Sequence, residues 1–323
     1  MTMHNGYPRR LRRTGALRAM FAETRLDPAQ LVLPLFVKAG ISTPQEVASM
    51  PGVWQHTAAT AADAADRAHA AGVGGVILFG IPDAKDAQGS SGWDPAGPVP
   101  RAATAIRQRC SDELVIWADV CQCEYTDHGQ CGPLASDGAV DNDAAVAGYV
   151  RDALAYVHAG VDVVAPSGMM DGQVAALRAA LDGEGRRDVA IVAYAAKFAS
   201  AFYGPFRDAA ESSLEGDRST HQLDPGNRRE ARRELQLDLE EGADVLMVKP
   251  ALPYLDIVAD ARRLGLPVAA YHVSGEYAMI KAAGERGWLD ADAALTEAAV
   301  SIVRAGADLV LTYDAVRLAQ ELR

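Results

Sequence analysis

The feature that most constrains this chain is an alternation, repeated eight times, of a short apolar run with a stretch of helical spacing. The runs fall at 31–37, 73–79, 114–120, 161–166, 189–195, 245–248, 268–273 and 309–313. Between most of them lie alanine-rich segments with helical periodicity, at 61–71, 143–159, 173–181, 228–241, 254–264, 276–286 and 292–305. Continuous apolar runs are the mark of strands buried on both faces of a parallel sheet. Parallel strands need crossover connections, which the helical segments supply. Eight such units in roughly 300 residues fit an α/β fold of the (β/α)8 barrel type better than an open doubly wound sheet. No glycine-rich phosphate fingerprint opens a helix, which weakens a dinucleotide-binding reading. The expected division is an N-terminal arm over 1–28, with a short helix at 16–23, and one barrel over 29–323. Three helix ends share a pattern, Ala159-Gly-Val-Asp162, Glu241-Gly-Ala-Asp244 and Ala305-Gly-Ala-Asp308, each a glycine stop feeding a strand.

A barrel of this kind carries its chemistry at the C-terminal ends of its strands. Reading the position at or just past each run gives Asp119, Ser167, Lys197, Lys249, Ser274 and Tyr313. Lys249 ends the run Val245-Leu-Met-Val248, and Pro250 stops the strand because it has no ladder donor. A desolvated lysine has a lowered pKa, and its neutral amine attacks carbonyls. The plainer alternative is a lysine that snorkels to solvent. Lys197 ends strand five as Lys249 ends strand six. Neighbouring strands lie about 4.8 Å apart, so the two amines are expected side by side. Like charges at that range depress at least one pKa, unless a carboxylate such as Asp119 pairs with one of them.

Cys121, Cys123 and Cys131 follow strand three within eleven residues, a spacing that suits metal more than a disulfide framework. Three thiolates suit zinc with one coordination place left open, whereas His128 as a fourth ligand would make a closed structural site. Cys110 has no evident partner. The segment 198–224 is long for a barrel loop, and long loops without regular structure are commonly lids. Arg207 and Arg218 within it suit bidentate carboxylate recognition, or are simply solvated. Pro225 after Asp224 reads as a capped helix start. Ser274 reads as a helix N-cap and Tyr313 as a core tyrosine, and both also suit carboxylate binding.

A formal net charge of −12 over 323 residues argues against a nucleic-acid partner. Arg9, Arg10, Arg12 and Arg13 form a basic cluster, read as a solvated arm, a subunit contact or a targeting element. No apolar h-region follows it and no run reaches membrane-span length, so the expected location is the cytoplasm.

Several of these stretches occur together in one known family. Asp119-Val-Cys-Gln-Cys-Glu-Tyr-Thr-Asp-His-Gly-Gln-Cys-Gly132, Lys197-Phe-Ala-Ser-Ala-Phe-Tyr-Gly-Pro-Phe-Arg207, Met247-Val-Lys-Pro250 and Tyr271-His-Val-Ser-Gly-Glu-Tyr-Ala-Met279 resemble the porphobilinogen synthase (5-aminolevulinate dehydratase) family, in its zinc-dependent branch. The resemblance runs from the arginine-rich arm to the C-terminus. It implies a hydro-lyase that condenses two 5-aminolevulinate molecules into porphobilinogen with loss of two waters, towards haem and other tetrapyrroles. It also implies a homo-octamer whose arm wraps a neighbour. By motif, Lys249 would form the imine with the first substrate and Lys197 would hold the second. Arg207, Arg218 and Gln222 would take the second substrate's carboxylate, and Ser274 and Tyr313 the first's. Asp119 would orient the amino group or the metal-bound water. Cys121, Cys123 and Cys131 would hold a catalytic zinc, and Glu234 an allosteric magnesium, unless it is a plain exposed helix glutamate. Gly168 stands where some relatives carry aspartate, and His221 where tyrosine is common.

Two other readings compete. A class I aldolase-like Schiff-base lyase needs one lysine and no zinc. A zinc-stabilised barrel used for assembly would bury its lysines in salt bridges and would not need two arginines in a lid.

Overall fold

The structure, a computed structural model, describes residues 6–323, so the first five residues of the expected arm lie outside the described residues. Eight parallel strands form the barrel: β1 Leu31–Lys38, β2 Gly75–Ile81, β3 Val115–Val120, β4 Val163–Pro166, β5 Ala190–Lys197, β6 Val245–Lys249, β7 Val268–His272 and β8 Leu309–Thr312. Pairing of Leu31 with Val310 and Val32 with Leu311 closes the sheet on itself. A short addition to this frame, Gln45–Glu46 against Trp54–His56, extends the mouth beside β1.

Strand periodicity divides the core into two layers. One set of positions points into the barrel, among them Val32, Phe36, Ile77, Phe79, Trp117, Ala165, Val192, Tyr194, Met247, Tyr271 and Leu311. The alternate set, with Leu35, Leu78, Ile116, Val164, Ile191, Leu246 and Ala270, packs against the surrounding helices. Both layers are buried, which explains why the strands read as unbroken apolar runs rather than as alternating ones.

The repeated Gly-x-Asp endings do more than stop helices. Gly160, Gly242 and Gly306 all have φ above 100°, a region costly for any residue with a Cβ. The aspartate two residues on then accepts a backbone N–H from the preceding strand: Ile116 to Asp162 at 2.8 Å, Ile191 to Asp244 at 2.8 Å and Val268 to Asp308 at 2.9 Å. Arg107 and Arg262 clamp two of these carboxylates from the side, Asp162 at 2.6 Å and Asp308 at 2.7 Å. This device lies at the N-terminal face, where a barrel keeps its stability rather than its chemistry.

Three expectations need correction. The helix Pro98–Cys110 between β2 and β3 was not expected; its prolines sit in the first turn, where no N–H is needed. The segment 198–224 is not structureless, since it contains the 3-10 turn Ala201–Tyr203 and the short α-helix Gly204–Ala209. The following helix starts at Arg228 with Asn227 before it, and Asp224 instead accepts from Gly226 N at 2.7 Å in a turn. In the described part of the arm, Pro8–Arg12 and Gly15–Met20 bury no residue.

Candidate active site

The inward parity of the strands continues past their last core residue and delivers the polar groups. Trp117 is followed two residues on by Asp119, Ala165 by Ser167, Met247 by Lys249 and Leu311 by Tyr313. Lys197 lies three residues beyond Tyr194, so a regular strand would turn it outward. A register irregularity between Ala193 and Ala196 absorbs the extra residue. As in a β-bulge, the shift re-aims the following side chain. Lys197 and Lys249 consequently become direct register partners on adjacent strands.

Both lysines line one cavity of about 340 Å³, together with Asp119, Ser167, Arg207, Arg218 and Gln222. Lys197 Nζ donates to Ser167 O at 2.6 Å, and Ser167 Oγ donates to Asp119 at 2.9 Å. Lys249 Nζ faces aromatic rings, with centroids at 4.3 Å (Tyr271), 5.1 Å (Tyr194 and Phe206) and 5.4 Å (Tyr203). Burial, then the like charge of Lys197, lowers Lys249 to about 7, against the opposing pull of Asp119. Burial raises the Asp119 carboxyl, although both lysines pull it down. The snorkelling alternative for Lys249 fails, because the residue is only 5% exposed. The strand end carrying it is fixed by Glu276, which accepts from Leu252 N at 2.7 Å and Val273 N at 2.6 Å.

The sulfurs of Cys121, Cys123 and Cys131 lie within 4.8 Å of one another, all buried, and Cys123 and Glu124 reach the cavity wall. His128 does not join this group; its Nδ1 accepts from Gln130 N at 3.2 Å. Cys110 is buried at the end of its helix, apart from the cluster. Arg218 is half-buried beside the sulfurs and Glu124; desolvation works against its charge, these neighbours more than offset it, and it donates to Gly129 O at 2.8 Å.

Ser274 and Tyr313 do not line the cavity. Ser274 is the first residue of its helix rather than the cap, and its hydroxyl accepts from Phe206 N at 3.0 Å. Tyr313 and Tyr271 share a hydroxyl contact at 3.1 Å. Phe206 itself packs on Phe36 and Phe79, with centroids at 5.6 and 5.2 Å. Glu234 lines a second cavity of about 370 Å³ with Asp171, Glu230 and His221. Burial first, then Asp171 and Glu230, raises its carboxyl. Gly168 has a plain packing reason, since a Cβ there would collide with the Tyr149 hydroxyl.

Sequence reasoning missed Glu124, Tyr194, Tyr203 and Tyr271. The inward parity of Tyr194 and Tyr271 was a usable signal. The packing of Tyr203 and Glu124 depends on loops and left none.

The family model for delta-aminolevulinic acid dehydratase matches residues 5–321. The delta-aminolevulinic acid dehydratase of Streptomyces coelicolor is 55% identical over 319 residues, covering 98% of this chain and 97% of that one. The same enzyme of Mycobacterium tuberculosis is 56% identical over 312 residues, covering 96% and 95%. The crystal structure of delta-aminolevulinic acid dehydratase (porphobilinogen synthase) from Toxoplasma gondii ME49, in complex with the reaction product porphobilinogen, superposes with a TM-score of 0.94 at 41% identity. It covers 98% of this chain and 91% of that one. With the closed eight-stranded barrel and near full-length identity above one half, the chain belongs to the delta-aminolevulinic acid dehydratase family of enzymes.

Proposed function

We propose that this enzyme condenses two 5-aminolevulinate molecules into porphobilinogen through imines on Lys249 and Lys197. The observation that carries this reading is the placement of two lysines as register partners in one buried cavity. Lys249, lowered to about 7, attacks the ketone of the first substrate as the neutral amine, and the carbinolamine loses water. Lys197 holds the second substrate by the same chemistry. Asp119, beside both amines, orients the substrate amino group. Arg207, Arg218 and Gln222 face the same cavity and suit the second carboxylate. Ser274 and Tyr313 suit the first, and seating a carboxylate at Ser274 redirects the hydroxyl proton now donated to Phe202 O at 3.3 Å.

The three clustered thiols fit zinc: they are soft donors within 4.8 Å of one another, without a fourth protein ligand among the described residues. Bound there, zinc would supply Lewis-acid polarisation beside the cavity. Glu234 alone would hold magnesium, mostly through water, since among the described residues only the three cysteines bring ligand atoms within 4.8 Å of one another. The exposed Tyr7, Leu11, Met20 and Phe21 of the arm support a role in subunit contacts within a homo-octamer. An aldolase-like lyase leaves both the second lysine and the thiols without a task. An assembly-only barrel leaves unexplained a lysine buried among aromatic rings.

Incubation with 5-aminolevulinate and borohydride tests the reading. Mass spectrometry is expected to find the reduced adduct on Lys249; no adduct on either lysine would sink it. A zinc chelator is expected to abolish turnover while circular dichroism stays unchanged, and unfolding on chelation would instead mark a structural metal.

A further inference from the structure

The helix Asn142–His158 lies against the loop that bears the three thiols. Its residues 145, 148, 149, 152 and 156 share one face by helical spacing. Ala145 packs so closely on Gly132 that a Cβ there would overlap it, and the Tyr149 hydroxyl donates to the Cys131 carbonyl. Tyr156 donates to the Tyr125 hydroxyl at 3.1 Å. Between these anchors stand Gln122 and Asp152, both 0% exposed. Gln122 separates Cys121 from Cys123, and its side-chain amide lies against Gly148, where a Cβ would collide with it. Asp152 is one helical turn further on. It is enclosed by the 90–93 turn, where a Cβ on Gly92 would come within 2.6 Å of Asp152 Oδ1. The side-chain oxygens and nitrogen of Gln122 and Asp152 have no protein partner among the described residues. Buried amides and carboxyls do not persist in a packed core without hydrogen bonds. Gly148, which the Gln122 amide touches, and Asp152 stand one turn apart, about 5.4 Å along the axis, and one loop meets both side chains, Gly89 against Gln122 and Gly92 against Asp152. Buried polar groups that protein leaves unpaired are held by enclosed water.

We propose that Gln122 and Asp152 form one buried polar unit, bridged by enclosed water, that fixes the Cys121–Cys123 turn on the helix and so positions the thiols. The proposal rests on reading those thiols as a metal centre. Both are positioning residues, since neither lines the catalytic cavity. Burial raises the Asp152 carboxyl well above its usual range, with Arg151 opposing and Glu124 adding to the rise. A neutral acid both donates and accepts, so asparagine at 152 can replace it.

The test compares full-length Q122L, D152L, D152N and Q122L/D152L with the wild type. One readout is amide hydrogen exchange over residues 119–132 in metal-free protein. The other is release of bound Co2+ to a chelator, together with the thiolate-to-cobalt absorption. Q122L and D152L are each expected to speed exchange and release about tenfold, as partners behind a metal ligand do. D152N is expected to behave as wild type. The double variant should lie closer to wild type than either single, because no polar group is then buried alone. Singles without effect, or losses that simply add, overturn the proposal. A fall in melting temperature with unchanged exchange and cobalt spectrum overturns it too, by reducing the pair to packing. If D152L does not fold, Q122L against the double variant still decides. If wild type binds no cobalt, the metal reading falls, and the exchange cycle alone decides the pair.

Discussion

Lys197 and Lys249 are the same residue type, paired in register on adjacent strands and both over the Tyr194 ring, yet the rest of their surroundings differs. Lys197 donates to Ser167 O at 2.6 Å and sits beside a carboxyl that Ser167 also holds. Lys249 is packed among Tyr194, Tyr203, Phe206 and Tyr271, and burial is the largest cause of its lowered pKa. Polar contacts fix the first amine in place. Desolvation brings the second to about 7, where a neutral amine is available. Adjacent strand ends can thus carry complementary tasks without any difference in side-chain chemistry, because the aromatic and polar halves of the mouth face different strands.

Removing either amine gives the largest expected effect. Lys249→Met is expected to lower kcat by roughly 10⁴-fold or more and to abolish the borohydride adduct at position 249, as loss of a nucleophile does. Lys197→Met should lower turnover comparably but keep a single-substrate adduct on Lys249, read by peptide mass. If Lys197→Met loses the Lys249 adduct and Lys249→Met keeps one on Lys197, the assignment of tasks is reversed.

The barrel and Lys249 were legible in the sequence for one reason: both follow from strand periodicity. An apolar run that ends in lysine and proline leaves little freedom for the side chain's direction. Lys197 was harder. Its inward aim depends on a register irregularity within Ala193–Ala196, where four small apolar or aromatic residues show no local sign of a bulge. The thiol cluster was legible from spacing, whereas the exclusion of His128 depends on how the 126–130 turn folds back. For Ser274 and Tyr313 the sequence offered carboxylate binding from side-chain chemistry, later narrowed by resemblance, whereas the tertiary contacts from Phe206 and Tyr271 at their hydroxyls had no local sign. Gln122 and Asp152 escaped notice altogether, since one sits unremarked between two cysteines and the other looks like an ordinary helix acid.

A second comparison of the two amines comes from pH. With the neutral form of Lys249 as the proposed nucleophile, the rate of adduct formation should fall tenfold per unit below about pH 7 and level off above it. The like charge of Lys197 helps to hold the proton off. In Lys197→Met the limb should therefore move to higher pH, by roughly one unit, because burial remains the larger cause. Single-turnover trapping across pH 5–10 measures it. An unmoved limb would mean that burial alone sets the nucleophile.

The smallest effect, on stability, separates the two residues by sign. The folded-state value of Lys249, about 7, lies below its unfolded value of 10.5. Below pH 7 both states carry the proton, and the folded state bears the whole cost of a buried charge. Between 7 and 10.5 the unfolded state binds more protons, so stability rises with pH. Above 10.5 the cost is gone. Methionine at 249 removes that cost and fills similar volume, so Lys249→Met should be about 1–3 kcal/mol more stable than wild type at neutral pH. Its advantage should shrink as pH climbs towards 10.5. Lys197→Met should instead be destabilised by about 1–3 kcal/mol, because it strands the Ser167 carbonyl and removes a positive neighbour from buried Asp119. Melting temperatures of both variants at pH 6, 8 and 10 decide the matter. Shifts of the same sign would mean that the two amines are held alike, and the division of labour drawn from their surroundings would lose its physical basis.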